Sequence, residues 1–148
     1  MAAHQPLTAT APPPGHHALI ACRTAPLLDS AVPALRGFAR TAASGWGLPA
    51  GGDGIGLALV VGELVANAVR HSGGATVRLL LRATPWEVTV DVADDGRWRP
   101  PSACLPSGGP GPGTAGGSGL SIVEALATDV TVRRTRHGTQ VLAVLPRA

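Results

Sequence analysis

Three short runs in this chain carry side chains that could do chemistry. Glu63-Leu64-Val65-Ala66-Asn67 places an acid and an amide four residues apart. On a helix that spacing sets both on one side, one turn from each other. Both are costly to bury on an otherwise apolar helix unless they find partners. Glu63 can take a proton or orient a water. Asn67 offers a neutral carbonyl oxygen, which suits a hard cation such as magnesium. His71 continues the same side one turn later, with Arg70 adjacent. A polar stripe at the rim of the helix is the alternative reading of the same spacing.

The second run is Val90-Asp91-Val92-Ala93-Asp94-Asp95-Gly96, a strand ending in two acids and a glycine. An acid at a strand's end can accept a hydrogen bond from an exocyclic amine, and a glycine lets a ring approach the backbone. An ordinary Asp-Gly turn would read the same way. The third run, Gly116-Gly117-Ser118-Gly119-Leu120, opens a helix. Backbone N–H groups of a glycine run at a helix start can hold an anion with no cationic side chain, and a flexible linker is the alternative. A Walker-type phosphate loop is excluded because the chain contains no Lys. A dinucleotide fingerprint is excluded because no strand directly precedes the run and no βαβ unit follows.

These groups can act together only if the rest of the chain positions them. Residues 1–17 are rich in Ala, Pro and Thr, with Pro12, Pro13 and Pro14 in a row, and are expected to form a disordered tail. A short strand is expected at residues 18–24. Asp29 or Ser30 should cap a helix running to about Ser44, with Val32, Leu35, Phe38 and Ala39 on one face. Pro33 falls near its first turn, where a missing N–H costs little. Asp53 is expected as the N-cap of a central helix over residues 54–71. That helix is apolar nearly all round and should be buried under a sheet. Ser72-Gly73-Gly74 stops it. Residues 76–82 and 87–92 are β-branched runs joined around Pro85, which predicts a hairpin. Residues 96–117 carry Gly or Pro at almost every second position and have no period. A stretch of that length is a lid, a binding loop or a disordered insert. A short helix at 120–128 and two strands at 130–134 and 139–145, turning at His137-Gly138, complete the chain. The order predicts an α+β fold: a two-layer α/β sandwich, with a mixed sheet and helices on one face.

The length of 148 residues fits one domain. With 45% hydrophobic and 14% charged residues, a charge-driven disordered chain is excluded over most of the length. The longest uncharged apolar stretches fall short of the ~18 residues of a membrane span or are broken by Gly, so no membrane association is expected. All 12 basic residues are Arg, and the net charge is only +3, so no direct nucleic-acid partner is expected. Cys22 and Cys104 make neither a zinc pattern nor a disulfide framework, and no apolar signal segment leads the chain, so a cytoplasmic location is expected. Phe38, Trp46, Trp86 and Trp98 are the only aromatics, so the core must be built from Leu, Val, Ile and Ala.

Taken in order, Glu63-Leu64-Val65-Ala66-Asn67-Ala68, Asp94-Asp95-Gly96, Gly117-Ser118-Gly119-Leu120 and Gly138-Thr139 resemble the Bergerat-fold (GHKL) ATPases. The runs Asn67-Ala68-Val69-Arg70-His71-Ser72 and Gly119-Leu120-Ser121-Ile122-Val123-Glu124-Ala125-Leu126-Ala127 are most similar to the anti-sigma-factor serine/threonine kinase branch. The resemblance covers residues 18–146, within a domain expected over 18–148. It implies that ATP and Mg2+ are the ligands, with Asn67 on the magnesium and Glu63 as general base. Asp94 would bind the adenine amine, with Gly96 making room for the ring. Gly117, Gly119 and Leu120 would meet the phosphates at the helix start, Thr139 would support Asp94, and residues 97–116 would be the ATP lid. Trp98 stands where the family has a second glycine, which brings an indole to the adenine mouth. The implied partners are an anti-sigma-factor antagonist, as phosphate acceptor, and a sigma factor; self-association is left open. A non-catalytic ATP-sensing module and an ATPase module of a larger assembly are the other readings.

Overall fold

The computed structural model describes residues 17–97 and 118–147. Residues 1–16 of the expected tail, 98–116 of the expected lid with Trp98 and Cys104, Gly117 and Ala148 lie outside them. The elements in chain order are β1 (Leu19–Pro26), α1 (Ala31–Gly45), α2 (Asp53–His71), β2 (Thr76–Ala83), β3 (Glu87–Asp94), α3 (Ser118–Leu126), β4 (Asp129–Thr135) and β5 (Gly138–Pro146). The strands form one sheet in the order β1-β2-β3-β5-β4. The expected α+β sandwich with its helices on one face is observed, but the sheet is not mixed: all four pairings are antiparallel. The crossover from β3 through α3 to β4 runs in the sense that would give a parallel pair. The β4–β5 hairpin then inserts β5 between those two strands, so they never become neighbours.

The strand register explains the core. Val77, Leu79, Leu81 and Ala83 of β2 stand opposite Asp94, Val92, Val90 and Val88 of β3. These in turn stand opposite Thr139, Val141, Ala143 and Leu145 of β5. Directly paired residues share a face, so three parallel files of side chains point at the helices. All are buried, and each file on β3 and β5 ends in a polar residue, Asp94 or Thr139. The helix layer answers with Leu35 and Ala39 of α1, Leu57, Val60, Val61, Leu64, Val65 and Ala68 of α2, and Val123 of α3. Among the described residues every buried side chain of the apolar core is Leu, Val or Ala; Ile20 and Ile55 are exposed and Ile122 is half-buried. On α1 the buried face is Ala31, Leu35, Ala39 and Ala43; Val32 and Phe38 are only half-buried at its edge. α2 has 19 residues and a mean hydropathy of 1.2, a length and composition that would also suit a membrane span; here 56% of it is buried inside the domain.

Two capping expectations are corrected. Asp53 is the first residue of α2 rather than its cap; Gly52 holds the cap position and no side chain caps the end. The loop backbone does the work instead, with the Pro49 carbonyl accepting from the Gly52 and Gly54 N–H groups at 3.3 and 3.0 Å. A Cβ at Gly54 would sit 2.9 Å from that carbonyl oxygen, so glycine is needed there. Ser30 does sit at the cap of α1, but its side chain makes no capping bond. At the other end of α2, Gly73 has φ of +66°, the left-handed stop expected from the sequence.

The outer face of the sheet holds one costly group. Asp91 is only 8% exposed and stands between Leu80 and Leu142 on the neighbouring strands. Its Oδ2 accepts from Gln140 Nε2 at 2.7 Å, while its Oδ1 has no partner. Asp91→Thr introduces a β-branched strand residue, removes the orphan oxygen and leaves half-buried Gln140 able to turn to water. It should stabilise the domain by about 1 kcal/mol. Thermal unfolding should then shift up by roughly 2–4 °C for a domain of this size.

Candidate nucleotide site

The polar side chains singled out in the sequence gather where the apolar files end. At about 100° per residue, Asn67 falls at the edge of the buried face of α2, with Glu63 and Arg70 further round the same flank. Asn67 is 2% exposed, Glu63 is half-buried and Arg70 is exposed. The Asn67 amide oxygen accepts from Arg70 Nη2 at 2.9 Å. That bond brings a positive charge to the one neutral oxygen that the sequence offers a cation. Residue spacing of three on a helix was the signal for it. Among the described residues Glu63 makes no hydrogen bond or ion pair to a side chain.

Asp94 lies on the inner face at the end of β3 and is 8% exposed; Thr139, 3% exposed, is its direct partner on β5. Asp94 Oδ1 accepts from the Gly96 N–H at 3.0 Å, which turns the chain out of the strand. Asp95 points the other way. Its Oδ1 accepts from the N–H groups of Ala75 and Thr76 at 2.7 and 2.9 Å, so it clamps the start of β2 rather than facing the core. These two N–H groups hold the Asp95 carboxyl below its ordinary value of 3.8.

Three glycines make this corner possible. A Cβ at Gly96 would strike the carbonyl of Ser72 and the N–H of Gly74, and a Cβ at Gly74 would strike Asp95 and the Gly96 backbone. The loop after α2 and the turn after β3 therefore touch backbone to backbone, with the Gly74 N–H also bonded to Ser72 Oγ at 3.1 Å. Gly138, with φ of +148°, packs its Cα against the Asp94 carbonyl. The space over Gly96 that the sequence reading reserves for a ring is, on this side, occupied by Ser72 and Gly74. Sequence reasoning missed Gly74 and the clamp by Asp95, because their partners lie about twenty residues away.

Gly119 and Leu120 start α3, which packs against α2; Leu120 is half-buried against the core, and Gly117 is outside the described residues. Among the described residues no three His, Cys, Asp or Glu side chains come together as a metal-ligand set. A magnesium ion at Asn67 would therefore take most of its ligands from phosphates and water, which is its common mode in phosphate sites. The buried, neutral amide oxygen of Asn67 fits that role.

Asp95 is exposed, so its clamp is a test of geometry rather than of burial. With its carboxyl held lower when folded than when unfolded, its contribution is full above pH ~3.8 and is lost as pH falls through the lower folded value. Asp95→Asn should lower the unfolding temperature at pH 7. The gap between variant and parent should close as both are measured toward pH 3.

A model of the histidine kinase-like ATPase domain matches residues 25–145. No curated protein matches the sequence. Twenty-one chains of solved structures match. One is the crystal structure of the RsbU and RsbW domains of Rv1364c from Mycobacterium tuberculosis, with a TM-score of 0.56 and 21% identity. The match covers 88% of this chain and 33% of that one, so the present chain spans about a third of that protein's length. It is a likeness of fold. The family match runs over most of the 148 residues and includes α2, Asp94, the start of α3 and Thr139, and the chain belongs to the histidine kinase-like ATPase domain family.

Proposed function

We propose that the chain binds ATP with magnesium at this corner and transfers the γ-phosphoryl group to a Ser or Thr of an anti-sigma-factor antagonist, with a sigma factor as its other partner. The observation that carries the reading is the pair of buried polar residues, Asn67 on α2 and Asp94 on β3, tied together by the Ser72–Gly74 contact with Gly96. Membership of the ATPase family supports the nucleotide, and the fold shared with a structure that contains an RsbW domain supports the branch.

The roles follow from the chemistry of each group. Asp94 is an acceptor-only carboxylate at the end of β3, which suits the amine of adenine. The first turn of α3 points N–H groups at an anion, and Arg70 adds a positive charge near Asn67. Magnesium, when bound through Asn67 and the phosphates, neutralises charge on the transferred group. Glu63 takes the proton of the incoming hydroxyl as its oxygen bonds to phosphorus, and the bond to the ADP oxygen breaks. Catalysis on this scheme is mostly positioning and electrostatics.

ATP titrated by calorimetry should release heat in magnesium buffer; no heat at millimolar ATP, with or without magnesium, would sink the assignment. Asp94→Asn replaces a charge-assisted acceptor with an amide and should weaken ATP by roughly 10- to 150-fold, the worth of about 1.5–3 kcal/mol. Glu63→Gln should bind ATP like the parent but phosphorylate an antagonist at least ~10²-fold more slowly. Equal transfer rates would remove Glu63 from the role of base.

A further inference from the structure

A cleft of about 440 Å³ opens between α1 and the first turns of α2, on the N-terminal side of Glu63 and Asn67. Ala43, Leu48 and Ala58 form its buried floor, and Ile55 and Leu59 its rim. The α1–α2 loop adds Gly47, Leu48 and Ala50 to its lining. Such a recess, apolar with a few convergent polar groups, has the size and make-up of a small-molecule site. The charged groups are Arg36 and Arg40, one turn apart on α1, with the Ser44 hydroxyl a further turn on. Neither arginine makes a hydrogen bond or ion pair with a described residue. The Arg36 stem lies along α2 at Gly62, where a Cβ would come within 3.5 Å of its Cδ, so α2 limits where that guanidinium can go. Ile55 is left 58% exposed at the mouth, apolar surface that an occupant would cover.

We propose that this cleft binds a small amphipathic organic anion, with its carboxylate on Arg36 and Arg40 and its hydrocarbon body on Ala43, Leu48, Ala58 and Ile55. The charge is complementary: two unpaired guanidinium groups stand over an apolar recess, and a guanidinium grips a carboxylate through two parallel hydrogen bonds. A docked helix would need a longer groove with anchors over two turns, whereas this recess holds about 440 Å³. The site is separate from the nucleotide corner and does not depend on the proposed kinase activity.

The test is a titration of the full isotope-labelled chain with sodium decanoate, followed by amide NMR. The expected result is saturable shifts confined to residues 36–59, kept when ATP is present. Decylammonium, with the same tail and the opposite charge, should give none. Arg40→Ala changes an exposed side chain, and its spectrum should stay dispersed while decanoate binds about 10-fold more weakly. Arg36→Ala should do the same. The proposal is overturned by an absence of saturable shifts with decanoate in the folded parent, or by equal binding of decylammonium. It is also overturned by shifts at Asn67 and Asp94 that ATP abolishes, or by an acidic amphipathic helical peptide that saturates the cleft while decanoate leaves it unchanged.

Discussion

Everything at the nucleotide corner depends on how closely two pieces of backbone approach. Gly96 leaves β3 directly beneath Ser72 and Gly74, which leave α2, and no side chain fits between them. That contact fixes the end of the central helix against the end of the central strand. Asn67 and Asp94 belong to those two elements, so their separation is set by glycine sterics rather than by any bond between them. Asp95 reinforces the contact from the solvent side through two N–H groups. Gly138 adds a third backbone approach from β5, against the Asp94 carbonyl. Substituting any of these glycines would move a polar side chain with no change in the chemistry of the site itself.

The sheet supplies the second half of the arrangement. Its inner files run Val88-Val90-Val92-Asp94 and Leu145-Ala143-Val141-Thr139, so one continuous apolar surface turns polar at one edge. A buried acid at the end of a core is tolerable only with donors at hand, and the Gly96 N–H provides one. Asp91, on the opposite face of the same strand, shows the contrast: one of its oxygens finds Gln140 and the other finds nothing. Within four residues, one strand therefore carries a buried acid that accepts from the turn after it and another that leaves one oxygen without a partner.

α2 serves three purposes. Leu57, Val60, Val61, Leu64, Val65 and Ala68 fill the core. Glu63, Asn67 and Arg70 lie along its C-terminal half, and Ile55, Ala58 and Leu59 line the cleft at its N-terminal half. A helix with so little exposed polar surface can do this only because α1, α3 and the sheet each cover a different side of it. Both candidate sites are thereby carried by α2, one toward each end of the helix.

The sequence by itself determined whatever depends on near neighbours. The 3.6-residue period and apolar density of residues 54–71 specified α2, and the alternation Val88, Val90, Val92 already pointed Asp94 inward. The glycines at 73 and 138 marked their turns, and the order of the polar runs specified the family before any coordinates. The β2–β3 and β4–β5 hairpins were legible, but the pairing of β5 with β3 was not, because a hairpin inserted from later in the chain decides whether a crossover ends in a parallel pair. Nor was the capping of α2, where the Pro49 carbonyl displaced the expected Asp53 side chain. The bond between Asn67 and Arg70 was within reach of spacing rules, but the burial that makes it matter was not. The tertiary structure alone decided that Gly96 meets Ser72 and Gly74, that Asp95 holds Ala75 and Thr76, and that Arg36 and Arg40 overlook an open recess. Each is a contact between segments far apart in sequence, whose cost in chain entropy is met only when the whole core forms.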